Sequence, residues 1–486
     1  MSIKSNKSKV VSLSLSKAAI LAANLIAGMV FARKMPVKDY GTYLQTFLSY
    51  DLAVPILTLG IPSSIYYFLS DSNIKSKRIV LECLLILIIS SLVFSLFIYF
   101  GGAKLMSLRF DNIELINTLK WVSFYPLFTF PVLLASSVWV SIGKVKFNAL
   151  YSFIIGFSLA ILLVLTTTYS GSYNLPIIAR VLLSVLFFPV SIYYLFKFLP
   201  GKWEFPRLKS IISIIKFSIP IGLASILGTL TIQLSGFIVS FLTSPEEFAI
   251  YSNGAKEVPF IGIVTGSISV VILSEMSKEI KQNNHQLALN LFKKAAYMSS
   301  IFLFPIMLFL LVFSESFIKI LYSDSYKLSV IPFRIYLLII PARIAFYGSA
   351  FIALGRSNII LFRSIVDLIV TGLLCYFLTS LFGINGSALA LIITVYAWSI
   401  PYNLYTLSAI FKVSFMYMLP FKKLFIVFII SLFSSLISSL FLMFPINYIL
   451  QFISGLVFFG LIYCSLMYMY SIEFKQLILN SIKILK

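Results

Sequence analysis

The chain is 486 residues long, 60% hydrophobic and formally charged at +22. That apolar content excludes a water-soluble globule with an ordinary core and leaves lipid as the solvent. The cations fall mostly in loops between apolar runs, so no soluble basic face is left for nucleic acid.

A bilayer core takes about 20 apolar residues per helix, and windows of about 19 give about fourteen runs here. Helices follow, because membrane strands would be shorter and would alternate polar with apolar residues. The basic N-terminus leads into a first run at 11–32, predicted as a retained helix because no small-residue cleavage site precedes Phe31-Ala-Arg-Lys. Runs near 42–69, 79–101, 119–142, 149–170 and 175–199 follow, then a polar stretch at 200–212. A second series covers 214–242, 257–276, 293–314, 331–354, 358–381 and 387–410, with a polar stretch at 277–292. Two last runs occupy 424–444 and 448–470, and no charged residue occurs between Lys423 and Glu473. That pair is either lipid-facing padding or the wall of a groove for a lipid tail. No room remains for a soluble domain. Cys83, Cys375 and Cys464 sit in apolar runs and read as packing residues, and His285 is the single histidine. No metal or cofactor is implied, and no nucleophile–histidine set points to an enzyme.

Assigning Lys and Arg to alternate loops places 25 on the side of the N-terminus and 11 on the other, with Lys17 and Arg343 inside helices. The positive-inside rule then sets both termini in the cytoplasm, and the charge reads as an orientation and anionic-lipid signal.

The chain repeats itself. Lys38-Asp-Tyr-Gly-Thr-Tyr43 after the first run matches Glu246-Glu-Phe-Ala-Ile-Tyr251 after the seventh, with the final tyrosines 208 apart. Asp51 and Gly60 match Glu257 and Gly266 at an offset of 206, and Gly143 matches Gly355 at 212. The predicted fold is an all-α polytopic membrane protein: a six-helix lobe in 1–199, a cytoplasmic linker at 200–213, a second lobe in 214–410, and two extra helices with a tail in 411–486. Six helices per lobe make the repeat parallel, and paired lobes favour alternating-access transport over a non-transporting scaffold. Pro55, Pro62, Pro126, Pro131, Pro189, Pro220, Pro259, Pro305 and Pro341 fall within the runs and permit kinks.

Charges near run ends (Glu82, Arg180, Lys216, Glu257, Glu275 and Arg363) read as snorkelling. Four lie deeper. At about 1.5 Å per residue, Arg343 and Asp367 reach roughly 16 and 13 Å from the cytoplasmic ends of consecutive helices, which predicts an ion pair, structural or gating. Asp51, roughly 14 Å deep, is the candidate for coupling to H+ or Na+. Lys17, roughly 9 Å deep, either holds a phosphate or snorkels. These four charges sum to zero, so charge alone does not define the substrate.

Ala32-Arg-Lys-Met-Pro-Val-Lys-Asp-Tyr-Gly-Thr-Tyr, then Leu57-Thr-Leu-Gly-Ile-Pro62, the Gly143-Lys and Gly355-Arg turns, and Ile320-Leu-Tyr-Ser-Asp-Ser-Tyr carry a family resemblance. The chain resembles Wzx-type O-antigen and polysaccharide flippases of the multidrug/oligosaccharidyl-lipid/polysaccharide exporter superfamily. The resemblance implies a V-shaped two-lobe bundle in the bacterial inner membrane. It implies ion-driven movement of an undecaprenyl-pyrophosphate-linked oligosaccharide repeat unit from the cytoplasmic to the periplasmic leaflet, with a polysaccharide polymerase as a possible partner. Lys17 and Arg343 are then headgroup candidates, and Asp51 and Asp367 coupling or gating candidates. Tyr40, Tyr43, Tyr50, Tyr66 and Tyr67 read as interfacial anchors before sugar platforms. A multidrug antiporter and a lipid II flippase of the same superfamily remain alternatives.

Overall fold

The structure, a computed structural model, describes the backbone of residues 3–70 and 76–476. Side chains of residues 3–18, of scattered positions in the third, tenth and twelfth helices, and of residue 357 lie outside the described set. Helices form because lipid leaves every backbone N–H and C=O to be satisfied within its own segment, and among the described residues there is no strand.

In chain order the helices are α1 (Ile3–Lys34), α2 (Val37–Leu57), α3 (Ile61–Ser70), α4 (Ser76–Phe97), α5 (Ala103–Arg109), α6 (Leu115–Val122), α7 (Tyr125–Ser141), α8 (Val145–Ser170), α9 (Asn174–Phe198) and α10 (Leu208–Leu242). They continue as α11 (Pro245–Gly254), α12 (Pro259–Lys281), α13 (His285–Val312), α14 (Ser314–Tyr322), α15 (Val330–Leu337), α16 (Tyr347–Ala353), α17 (Ser357–Thr394), α18 (Ile400–Phe411), α19 (Phe421–Ser438) and α20 (Tyr448–Tyr470).

Among the described residues, seven stretches are long and apolar enough to span a bilayer as they stand, and up to ten when bent pairs count as single spans. The sequence reading of about fourteen differs for traceable reasons. Helices α1, α10 and α12 contain residues outside the described set. One stretch, Asn358–Phe411, runs 54 residues, and within it Gly383 turns the chain at φ 58°.

The bends have local causes. Leu59 and Gly60 take positive φ between α2 and α3, and Pro62 opens α3, giving a 43° bend. The pair α6 and α7 bends by 42° ahead of Pro126. The run read as one helix at 331–354 is broken too: α15 ends at Leu337, a 43° bend follows, and the chain resumes as a 3-10 turn, Ile340–Ile344, containing Pro341, that leads into α16.

By packing, the chain separates into two compact units, Met1–Ser252 and Asn253–Lys486. In the first, α1 lies along α8, α7 packs on α3, α4 and α9, and α10 lies against α2, α3 and α4. Leu87, Phe130 and Trp139 are fully buried there. In the second, α13 packs on α12 and α19, α20 on α14 and α19, and α15 on α17. Phe292, Phe313 and Phe351 fill its core.

Candidate functional site

In the first unit, Tyr40, Tyr43, Phe47 and Tyr50 recur every three or four residues along α2 and so share one helix face. That face is buried, with Tyr43 5% and Tyr50 7% exposed. The interfacial reading of these tyrosines is therefore corrected: their rings build an aromatic core with Phe31 and Tyr125. Phe31 meets Tyr43 edge-on at 4.8 Å, and Tyr50 meets Tyr125 edge-on at 4.8 Å. The Tyr50 hydroxyl is 2.6 Å from Thr129 Oγ1. Of the other two, Tyr67 is exposed and stacks on Phe217, and Tyr66 lies outside the described side chains.

Arg180 of α9 enters this cluster instead of snorkelling. Its Nε donates to the Tyr125 hydroxyl at 3.2 Å and its Nη1 to the Tyr43 hydroxyl at 3.3 Å. The guanidinium carbon sits 3.9 Å from the Phe47 ring centroid and 5.4 Å from that of Tyr125. A planar cation stacks well on such faces. Among the described residues no carboxylate comes within ion-pair distance of it. Asp51, one residue past Tyr50, is exposed within its unit and lies in electrostatic reach of Arg180 without touching it. Arg180 also lines a cavity of about 200 Å³ with Tyr50, Tyr125, Thr129, Ser184 and Phe187. The arrangement is a cation held by neutral hydroxyls and rings, with donors left for an anion. Sequence reasoning missed it, because Arg180 lies near the end of its run and its partners come from α2 and α7. The heptad-like tyrosine spacing on α2 was the available signal.

In the second unit the deep charges are sorted differently from the expectation. Arg343 pairs with Glu257, Nη2 to Oε2 at 3.3 Å. Asp367 pairs with Arg363, one turn earlier on α17, at 3.2 Å, and accepts the Ser399 hydroxyl at 2.7 Å. The Arg343–Asp367 pair is thus corrected. The depth estimate assumed straight helices, whereas Arg343 lies in the 3-10 turn and Ser399 ends a π-helical turn, Val395–Ser399. Glu257 likewise sits in the break between α11 and α12, so this pair joins two helix breaks. Lys17 is on α1, with its side chain outside the described set.

The Arg343–Glu257 pair is partly open, at 45% and 36% side-chain exposure. Its contribution to stability is expected to be below about 1 kcal/mol. In a double-mutant cycle, Arg343→Gln and Glu257→Gln should couple by no more than that, read as melting of the purified protein. Exchanging the charges (Glu257→Arg with Arg343→Glu) is expected to restore whatever activity the single changes remove.

An apolar groove of about 390 Å³ lies in the same unit, lined by Phe304, Ile344, Leu404, Leu424, Phe425 and Phe428. It is built from α13, the 3-10 turn, α18 and α19. Helix α19 is the first of the two that carry no charge beyond Lys423.

The apolar helices make this a multi-pass membrane protein, and its fold is similar to those of solved transporters, two of them of the MOP superfamily. A lipid II flippase, MurJ, in an inward closed conformation aligns over 94% of this chain and 99% of its own, at 19% identity and a TM-score of 0.74. An inward-facing multidrug resistance transporter of the MATE family aligns over 83% and 99%, at 13% identity and 0.63. A MOP-superfamily transporter from Pyrococcus furiosus aligns over 84% and 96%, at 15% identity and 0.57. No individual curated protein matches the chain. Residues 30–331 match the family described as polysaccharide biosynthesis protein, and the chain belongs to that family.

Proposed function

We propose that this protein is a flippase. It moves an undecaprenyl-pyrophosphate-linked O-antigen or polysaccharide repeat unit from the cytoplasmic to the periplasmic leaflet of the bacterial inner membrane, with both termini cytoplasmic. The observation that carries the reading is Arg180, a half-buried cation with no carboxylate partner among the described residues, facing a cavity. A sugar–pyrophosphate head does not cross hydrocarbon unaided. A guanidinium offers phosphate a bidentate fork, and its aromatic bed keeps it charged and oriented. Lys17 and Arg343 serve as further headgroup contacts. The apolar groove beside α19 takes the polyprenyl chain, since it offers surface matched to a hydrocarbon tail. Two six-helix lobes, about 11–199 and 214–410, alternate access around the head, and a polysaccharide polymerase receives the product. Membership of the polysaccharide biosynthesis family supports this substrate class.

Coupling to H+ or Na+ falls to Asp51 and Asp367. Asp367 has a neutral hydroxyl donor and a single arginine, so a proton or cation can compete for the carboxylate. Asp367→Asn is expected to abolish the response of transport to an imposed pH or sodium gradient while leaving downhill exchange.

The test is reconstitution in liposomes with a fluorescent undecaprenyl-pyrophosphate oligosaccharide, following headgroup access to an impermeant reagent. Protein-dependent translocation is expected. Its absence, alongside transport of organic cations or of lipid II alone, would sink the proposal.

A further inference from the structure

Between α9 and α10 the chain is non-helical from Leu199 to Arg207, bending at Gly201, and this stretch is fastened to α4. The fastening centres on Glu82, which is fully buried. Its carboxylate accepts the backbone N–H of Arg207 at 2.9 Å and the Ser210 hydroxyl at 2.5 Å. It therefore caps the first turn of α10 from another helix, where α10 has no cap of its own. Arg78, one turn before Glu82, ion-pairs with Glu204 of the non-helical stretch, and its Nε lies 3.6 Å from Glu82. The Trp203 ring rests 4.8 Å from Phe196, with Lys77 Nζ 5.4 Å above it.

This clasp engages the one acid of the segment, Glu204, together with Glu82 of α4, through Arg78, and Glu204 also lies 3.8 Å from the exposed Arg207 guanidinium. What it turns outward is apolar and basic. Trp203 is 61%, Phe205 92% and Leu208 73% exposed, and Lys202, Arg207 and Lys209 are exposed beside them. Water is a poor solvent for three such side chains in a row, and aromatic rings flanked by cations match the headgroup layer of a bilayer. The cations select for lipid of negative charge.

We infer that residues 199–209 form a surface strap that binds an anionic lipid leaflet, with Trp203, Phe205 and Leu208 in the headgroup layer, Lys202, Arg207 and Lys209 on lipid phosphates, and Glu82 and Arg78 holding the strap to α4. The strap then ties the first turn of α10 to the charge of the membrane surface.

The test uses the full chain with Cys464→Ala and a single environment-sensitive fluorophore on Phe205→Cys, Cys83 and Cys375 being buried. The protein is placed in nanodiscs of phosphatidylcholine alone, or of phosphatidylcholine with phosphatidylglycerol. We expect the probe to be quenched by headgroup-labelled lipid. We expect it to be protected from aqueous iodide about threefold better in the anionic discs. Lys202→Gln, Arg207→Gln and Lys209→Gln together should remove that difference while leaving elution and melting unchanged. Equal iodide access in both lipids, or protection that survives the triple change, would overturn the inference. If Phe205→Cys does not elute as a single species, Leu208→Cys provides the same reading.

Discussion

Arg180→Gln is expected to slow translocation of a pyrophosphate-linked saccharide by about 10- to 100-fold, with the protein still inserted and folded. A hydrogen bond to a charged group contributes about 1.5–3 kcal/mol, and each 1.4 kcal/mol is about a factor of ten. Glutamine keeps a neutral donor near the position of Arg180 Nε, toward the Tyr125 hydroxyl, but loses the Nη1 contact to Tyr43 and cannot fork onto a phosphate. The fold should tolerate the change, because no carboxylate contacts Arg180 and none is left buried without its counter-charge. The stacking on Phe47 is lost, at about 1–2 kcal/mol. Arg180→Lys separates charge from shape. A point charge restores attraction but not the planar fork, so an intermediate rate is expected. The comparison needs two measurements on each variant, flipping rate in liposomes and melting of the purified protein. A wild-type rate for Arg180→Gln would remove Arg180 from the headgroup site.

The helices were legible because lipid forces apolar runs of nearly fixed length, and breaks at prolines and glycines follow from backbone chemistry. Charge partners were much less so. Depth along a straight helix matched Arg343 to Asp367, but a 3-10 turn at Ile340–Ile344 places Arg343 by Glu257. Glu82 and Arg180 both lie toward the ends of their runs, where snorkelling is the ordinary expectation. The residues that draw them inward, Arg207 and Ser210 for one, Tyr43 and Tyr125 for the other, are between about 50 and 140 positions away. Hydropathy carries no information over such distances. The repeat supplied part of what was missing. It matched Asp51 to Glu257, and the structure sets each acid near an arginine of its own unit, Arg180 by field and Arg343 by contact.

The same repeat matched Gly60 to Gly266, and here the two copies should respond oppositely to one methyl group. Gly60 lies in the break between α2 and α3 at φ +72°, and a Cβ there would sit 2.5 Å from Cα and N of Gly222 on α10. In return, a Cβ on Gly222 would sit 2.7 Å from the carbonyl carbon of Leu59. Backbone meets backbone, and neither side has a flexible atom to move aside. The contact is pinned one turn on by Ser64 and Ser218, whose hydroxyls are 2.7 Å apart. Gly60→Ala therefore carries a left-handed backbone penalty of about 1–2 kcal/mol and an overpacking cost of about 1–3 kcal/mol. A loss of about 2–5 kcal/mol is expected, seen as a large drop in melting temperature and in yield of monodisperse protein. Gly222→Ala meets the same backbone without the left-handed penalty and should fall between Gly60→Ala and the native chain. Around Gly266, on α12, a Cβ would find nothing within 4 Å among the described residues, and alanine favours a helix interior by about 1 kcal/mol over glycine. Gly266→Ala should therefore leave melting unchanged or raise it slightly. Equal melting of Gly60→Ala and Gly266→Ala would mean that α10 does not approach the α2–α3 break this closely. A drop only at Gly60 and Gly222 would establish the two-glycine contact as the point on which α10 bears against the first unit's broken helix.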